Sequence, residues 1–233
     1  MAAVLNGASL TCGCLVPGEI IMVLGTAIGP SPTGLEIGAD GKLATTLNGT
    51  QLLINGIPVP LLYASTGQLN AIVPYEVATG GNATIQVMSE GQVSGIWEVP
   101  MSPAAPATFT LSATGVGQGA ILNQDNSING PSKPAARGTV IQIYATGEGV
   151  TTPPGVTGSI TGTDLTKPAL PAMVSIGGVN AMVEYVGSAP DAVTGLLQVN
   201  ALVPLNAPTG PAVGISLTIG TAQSPAGVTV AVE

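Results

Sequence analysis

The chain repeats itself. The segment from Pro17 to Gly29 (PGEIIMVLGTAIG) returns as Arg137 to Gly149 (RGTVIQIYATGEG), with Gly18 on Gly138, Ile21 on Ile141, Val23 on Ile143 and Gly29 on Gly149. The block Ile54 to Tyr63 (INGIPVPLLY) returns as Ile176 to Tyr185 (IGGVNAMVEY), and Gln68 to Pro74 (QLNAIVP) as Gln198 to Pro204 (QVNALVP). Three blocks in one order, with drifting offsets, describe two copies of one unit joined by loops of different length. The period is far longer than a solenoid or propeller unit, so these are tandem domains. Each is long enough to bury a core of its own.

Both copies read as strands. Ile20 to Leu24, Gln51 to Ile54, Pro60 to Tyr63, Leu69 to Val73 and Ala83 to Met88 are short apolar runs punctuated by Gly, Pro and Asn. Val140 to Tyr144, Ala172 to Ile176, Ala181 to Val186, Leu196 to Val203, Val213 to Ile219 and Val228 to Val232 follow in the second half. The 20 prolines and 33 glycines leave no room for a sustained helix. Asn55-Gly56 and its counterpart Gly177-Gly178 suit tight hairpin turns. The segment 123–127 suits a further hairpin, within a stretch (119–130) that shows no counterpart in the first copy. The expected fold is all-β, two tandem antiparallel β-sandwich domains spanning 1–102 and 103–233. The boundary follows from Pro100, Pro103 and Pro106, which favour an extended connector. Phe109, the one phenylalanine, follows it and is expected where the domains meet.

Only 7% of residues are charged, against roughly 25% in an average soluble domain. With 45% hydrophobic residues and 3% aromatics, the core is aliphatic and the surface largely Gly, Ser, Thr, Asn, Gln and Pro, a balance more usual in secreted proteins. Four cations, Lys42, Lys133, Arg137 and Lys167, against twelve acids give a net charge of −8. They cannot form the basic face that nucleic acid or anionic lipid requires. No apolar run reaches the length of a membrane-spanning helix, and no signal peptide is evident at the start. Cys12 and Cys14 are the only cysteines. Their spacing suits small loop or buried roles, or a strained local or intermolecular disulfide, and two thiols without histidine make a poor zinc site.

The runs quoted above, together with Gly117 to Asn123 (GQGAILN), Pro134 to Gly138 (PAARG) and Tyr144 to Gly149 (YATGEG), resemble a family of secreted proteins. They are similar to the uncharacterised C-terminal domain found in large exported proteins of Solibacter and other Acidobacteria. The resemblance extends from about Leu5 to Val232. Each half also resembles, more loosely, the immunoglobulin-like TIG fold of cell-surface proteins. The resemblance implies an extracellular or cell-surface accessory role and brings no catalytic residues with it. The Cys12 and Cys14 pair departs from what the family would carry.

Chemistry is sparse. The absence of histidine removes the usual general base and the Ser-His-Asp hydrolase arrangement. Glu36 and Asp40, the closest acids in sequence, fall in a glycine-containing loop and read as solvated. Gly115 to Gly119 lacks the Lys-Ser/Thr ending and following helix of a phosphate loop. Asn123, Asp125, Ser127 and Asn129 alternate like calcium ligands, but Ile128 and Pro134 stand where an EF-hand needs Gly and Glu, so a plain hairpin is the better reading. Glu19 and Glu148, not aligned between the copies, read as surface residues. Tyr63 and Tyr185 share a repeat position and read as core packing. Gln68 with Asn70, and Gln198 with Asn200, point to one face of a strand and are expected to satisfy backbone groups. Trp97 is the candidate anchor for a ligand such as a glycan.

The expectation is therefore a non-catalytic extracellular structural or adhesive module, without cofactor or metal, acting beside other domains of a larger exported protein or on copies of itself. A self-assembling filament subunit and a glycan-binding module are the alternatives. The filament reading rests on the scarcity of charge that would protect sheet edges.

Overall fold

A computed structural model describes residues 1–11 and 13–233. The described chain is all-β, with antiparallel sheets packed as sandwiches and no helix among the described residues. Two aliphatic cores divide the chain. One takes residues from Val4 to Val99 and the other from Ala104 to Val232.

In the first half, strands Ala3–Asn6, Ile20–Leu24, Gln68–Ile72, Leu61–Ala64 and Thr33–Gly34 form one sheet in that spatial order. Trp97–Pro100, Asn82–Ser89, Thr50–Ile54 and Ile57–Pro58 form the second, with Gln92–Val93 beside Asn82–Ser89. Alternation drives the packing: Thr50, Leu52 and Ile54 face inward while Gln51 and Leu53 face out. The inward residues of the two sheets meet, Leu52, Ile54, Ile85 and Val87 against Ile21, Val23, Leu61 and Leu69.

The second half repeats this plan in register. Met22 lies opposite Asn70, and Gln142 opposite Asn200. Ile54 pairs with Ile57 across Asn55-Gly56, and Ile176 with Val179 across Gly177-Gly178. All four turn residues have positive φ, the conformation of a two-residue hairpin turn. A register shift lies between Leu61 and Tyr63, and another between Val183 and Tyr185, so both copies bulge at the same place. The Ser94 hydroxyl accepts a hydrogen bond from the Val87 N–H, as Ser224 does from Leu217.

One difference has a clear cause. In the first copy the run after the Asn55 turn breaks into Ile57–Pro58 and Leu61–Ala64, on separate sheets. Pro58 and Pro60 lack the N–H groups that would continue the ladder. The second copy has Asn180 and Met182 there, and Val179–Ser188 runs on unbroken, pairing with Ala172–Ile176 at one end and Leu197–Leu202 at the other. The two layers thereby join into one ten-stranded sheet, eight strands of which follow a single continuous path.

The hairpin at 119–130 does have a counterpart, contrary to expectation. Ala3-Val4-Leu5-Asn6 pairs with Ile21 to Leu24 as Ile121-Leu122 pairs with Gln142 and Ile143. The match is A-V-L-N to A-I-L-N, too short to stand out before the pairing is known. After each Asn the chain turns back, to Thr11 in one copy and Ser127 in the other. Asn129 is fully buried and bonds Ala231 through both its amide oxygen and nitrogen, so the alternating polar residues here build the hairpin.

The turn residues give a direct test. A side chain at Gly56 or Gly178 would meet nothing within 4 Å, so only the backbone resists substitution. Gly56→Val and Gly178→Val should each destabilise the protein by about 1–2 kcal/mol in denaturant unfolding, the cost of a β-branched residue at positive φ.

Candidate functional site

The polar features with most chemical consequence lie where the halves meet. Ile20, Leu43 and Ile72 of the first half form a small cluster with Leu62, Phe109, Val193 and Leu196 packed on it. Phe109 thus sits in the seam. Around this cluster, hydrogen bonds cross from half to half. The Thr146 hydroxyl accepts from the Ile20 N–H at 2.8 Å and donates to the Gly195 carbonyl at 2.8 Å. The Leu43 N–H donates to the Gly158 carbonyl, and the Tyr75 N–H to the Thr157 hydroxyl. The Gly18 backbone approaches Gly195 so closely that a Cβ there would collide with the Gly18 carbonyl oxygen.

Two carboxyl groups are buried in this seam, which corrects the reading of Glu19 and Glu148 as surface residues. Glu19 is 0% exposed and Glu148 3%. Glu19 follows Gly18 in a turn whose geometry, with the Glu19 N–H bonded to the Val16 carbonyl, folds its side chain inward. Its Oε1 accepts from Asn6 Nδ2 at 2.8 Å and its Oε2 from the Val16 N–H at 2.9 Å. Glu148 extends from just beyond strand Val140–Thr146 and its Oε1 accepts a hydrogen bond from the Tyr75 hydroxyl at 2.7 Å. Its Oε2 is buried with no hydrogen-bond partner among the described residues. Tyr75 lies between Gly18 and Gly155, where a Cβ on Gly155 would stand 2.7 Å from the ring.

Burial governs the titration. Desolvation pushes the Glu19 carboxyl up to about 8, and the nearby Glu148 charge adds to it against the hydrogen bonds from Val16 and Asn6. Glu148 rises to about 7, again through burial, with the Tyr75 hydrogen bond opposing. Burial and the Glu148 charge raise the Tyr75 hydroxyl further from ionisation. None of the four cations contributes to either carboxyl. At neutral pH Glu19 is mostly protonated. A cleft of about 200 Å³, lined by Asn6, Ser9, Cys14, Glu19, Ala105 and Gln223, reaches the edge of this site. Glu148 does not line it, so the two acids do not present themselves together to one bound molecule.

The other candidate residues lie elsewhere. Trp97 is 37% exposed on the edge strand Trp97–Pro100, opposite Ile85. Cys14 is half-buried near Ser102, and burial raises its thiol; Cys12, and with it any Cys12–Cys14 bond, lies outside the described residues. Glu36 and Asp40 are exposed, Asp40 accepting a hydrogen bond from the Lys42 N–H in the loop. Gln68 bonds Asn70 along its strand at 2.9 Å, and Gln198 bonds Asn200 at the same distance, so each amide pair satisfies itself rather than the backbone. Tyr63 and Tyr185 are half-buried at the two bulges, not core residues.

Comparing the two copies would have pointed to the seam. Glu148 stands where the first copy has Ile28; Glu19 stands where the second has Thr139, and Tyr75 where it has Leu205. At these three positions the equivalent residues differ in polarity, and all three side chains converge in one interface. No protein-family model matches the chain, and no curated protein matches it.

A carboxyl with a raised folded-state pKa binds its proton more tightly in the folded protein than in the unfolded one, whose value is near 4.5. The resulting stabilisation is complete below about 4.5 and is lost as pH rises through about 7 for Glu148 and about 8 for Glu19. Stability measured by denaturant should therefore fall between about pH 5 and about pH 9. Glu148→Gln keeps an oxygen for the Tyr75 hydroxyl and never ionises. It should match the parent near pH 5 and exceed it near pH 9 by on the order of 3 kcal/mol. A parent profile that is flat or rising over this range would contradict the assignment.

Proposed function

We propose that this chain is a non-catalytic structural or adhesive module of the extracellular space or cell surface. In this reading residues 1–102 and 103–233 are two immunoglobulin-like, TIG-like domains held as one stiff unit beside other domains of an exported protein. The observation that carries it is the seam. Its polar groups bond across the two halves, its acids are buried away from solvent, and glycines let the backbones approach closely. General acid–base chemistry needs a group within hydrogen-bond reach of its substrate. Glu148, enclosed and held by Tyr75, is placed to join domains instead.

The proline-rich connector supports the same reading. The Leu15 N–H bonds the Pro100 carbonyl and the Ser102 N–H the Leu15 carbonyl, the Ala105 N–H bonds the Gly147 carbonyl, and Ala104 is buried in the second core. The segment is pinned to both halves and is no free tether. A weakly charged, polar-neutral surface and the family resemblance favour the extracellular setting.

A second reading, assembly into filaments, draws on one observation. Leu205, in the position of Tyr75, is 78% exposed, so the face that is covered in the first copy is open in the second. Head-to-tail contacts of this kind generate open filaments where the rotation between subunits does not close a ring. The glycan reading keeps Trp97 as its anchor; Trp97 lines none of the clefts near the seam.

Small-angle scattering tests the stiff-module reading. The parent should scatter as one compact monomer independent of concentration. Tyr75→Ala, which removes the ring between Gly18 and Gly155, should increase the radius of gyration while each half stays folded. An unchanged scattering profile for the variant would overturn the role given to the seam. Light scattering that shows large assemblies in the parent, dispersed by Leu205→Glu, would replace the spacer by the filament.

A further inference from the structure

The repeat also reveals an edge that one copy covers and that is uncovered among the described residues of the other. In the second half, the last strand, Val228–Val232, carries two partners along its outer side. Ala135 bonds Ala231 and Glu233, and upstream the Gly117–Gln118 strand runs parallel to Val228 and Thr229. There the Gly117 N–H donates to the Gly227 carbonyl at 2.8 Å and the Gly119 N–H to the Thr229 carbonyl at 2.9 Å.

The equivalent strand of the first half is Trp97–Pro100. Val99 faces Ala83 as Val230 faces Val213, which sets Trp97 on Val228 and Glu98 on Thr229. Leu15 occupies the place of Ala135, bonding the Pro100 carbonyl and the Ser102 N–H. The place of Gly117–Gln118 is empty among the described residues. Met1 and Ala2 do not fill it, because the Ala2 N–H bonds the Leu24 carbonyl on the other sheet. The exposures follow: Val228 is 5% exposed, whereas Trp97 is 37% and Ile96 65%.

We propose that this edge is a docking site for an extended, glycine-containing segment of another polypeptide, which adds as a parallel strand beside Ile96, Trp97 and Glu98. The second copy specifies the chemistry. Two amide donors two residues apart meet the carbonyls of Ile96 and Glu98, as Gly117 and Gly119 meet those of Gly227 and Thr229. The residue over Trp97 must be small, since a Cβ on Gly119 would already stand 3.2 Å from Val228 and tryptophan is larger. Glu98 leans across its own sheet to Asn82 and leaves the edge free. The segment is uncharged, like Val116 to Gly119. The inference rests on the adhesive reading for its biological setting, while the edge is tested by itself.

Trp97 is the single tryptophan of the chain, so its fluorescence reports on this edge directly. Titrating the full chain with a synthetic peptide of the sequence of residues 112–119 should give a saturable change. The same peptide N-methylated at its last amide, the one corresponding to Gly119, loses one hydrogen bond and should bind about tenfold more weakly. No saturable response, or equal binding of the two peptides, would overturn the proposal. A Trp97 signal that depends on protein concentration alone, with a doubled mass in light scattering, would assign the edge to a second copy and overturn the occupant named here. The scattering of the Tyr75→Ala variant reads the seam and leaves this edge untouched, so failure of either proposal is visible without the other.

Discussion

Two carboxyl groups, Glu19 and Glu148, lie in the seam between the halves with no cation to balance them. Burying a charge in this way is costly, so the molecule meets the constraint by protonation and hydrogen bonding. Asn6, the Val16 N–H and Tyr75, all of the first half, are arranged around the acids, and the Tyr75 bond to Glu148 crosses to the second half. The arrangement makes the relative placement of the two sandwiches a chemical matter as well as one of shape. Opening the seam would expose acids whose pKa values would return toward 4.5, and solvent above that pH would favour the open form. The closed seam is thus a preference that acidity strengthens.

Much of the fold was legible in the sequence because the physics that builds it is local. Strands such as Ile20–Leu24, Ala172–Ile176 and Val228–Val232 follow from apolar runs bounded by Gly, Pro or Asn, and the Asn55 and Gly177 turns from residues that tolerate positive φ. The repeat doubled that signal. The counterpart of the 119–130 hairpin escaped because only four residues, Ala3 to Asn6, preserve it, and the loops that follow differ.

The site was less legible, because it depends on which parts of two folded halves touch. Glu19 follows a turn glycine and Glu148 lies between two glycines, the surroundings of a solvated loop. Nothing local distinguishes such an acid from one enclosed by a neighbouring domain. The repeat held the missing signal, since Ile28, Thr139 and Leu205 stand at the equivalent positions. In a duplicated protein the cores stay alike, as Ile21 with Ile141 and Ala71 with Ala201, while the contact between copies must become unlike. The same comparison marks the uncovered edge at Trp97.

The central claim is that the seam makes the two halves one rigid body. Residual dipolar couplings of the backbone amides test it most directly, because each half reports its own alignment in a weakly ordered medium. The account predicts one alignment tensor, fitting the couplings of residues on both sides of the connector with the orientation seen in the structure. Two tensors of different magnitude or direction would contradict it, and would mean that the buried acids and Tyr75 do not hold the halves together in solution.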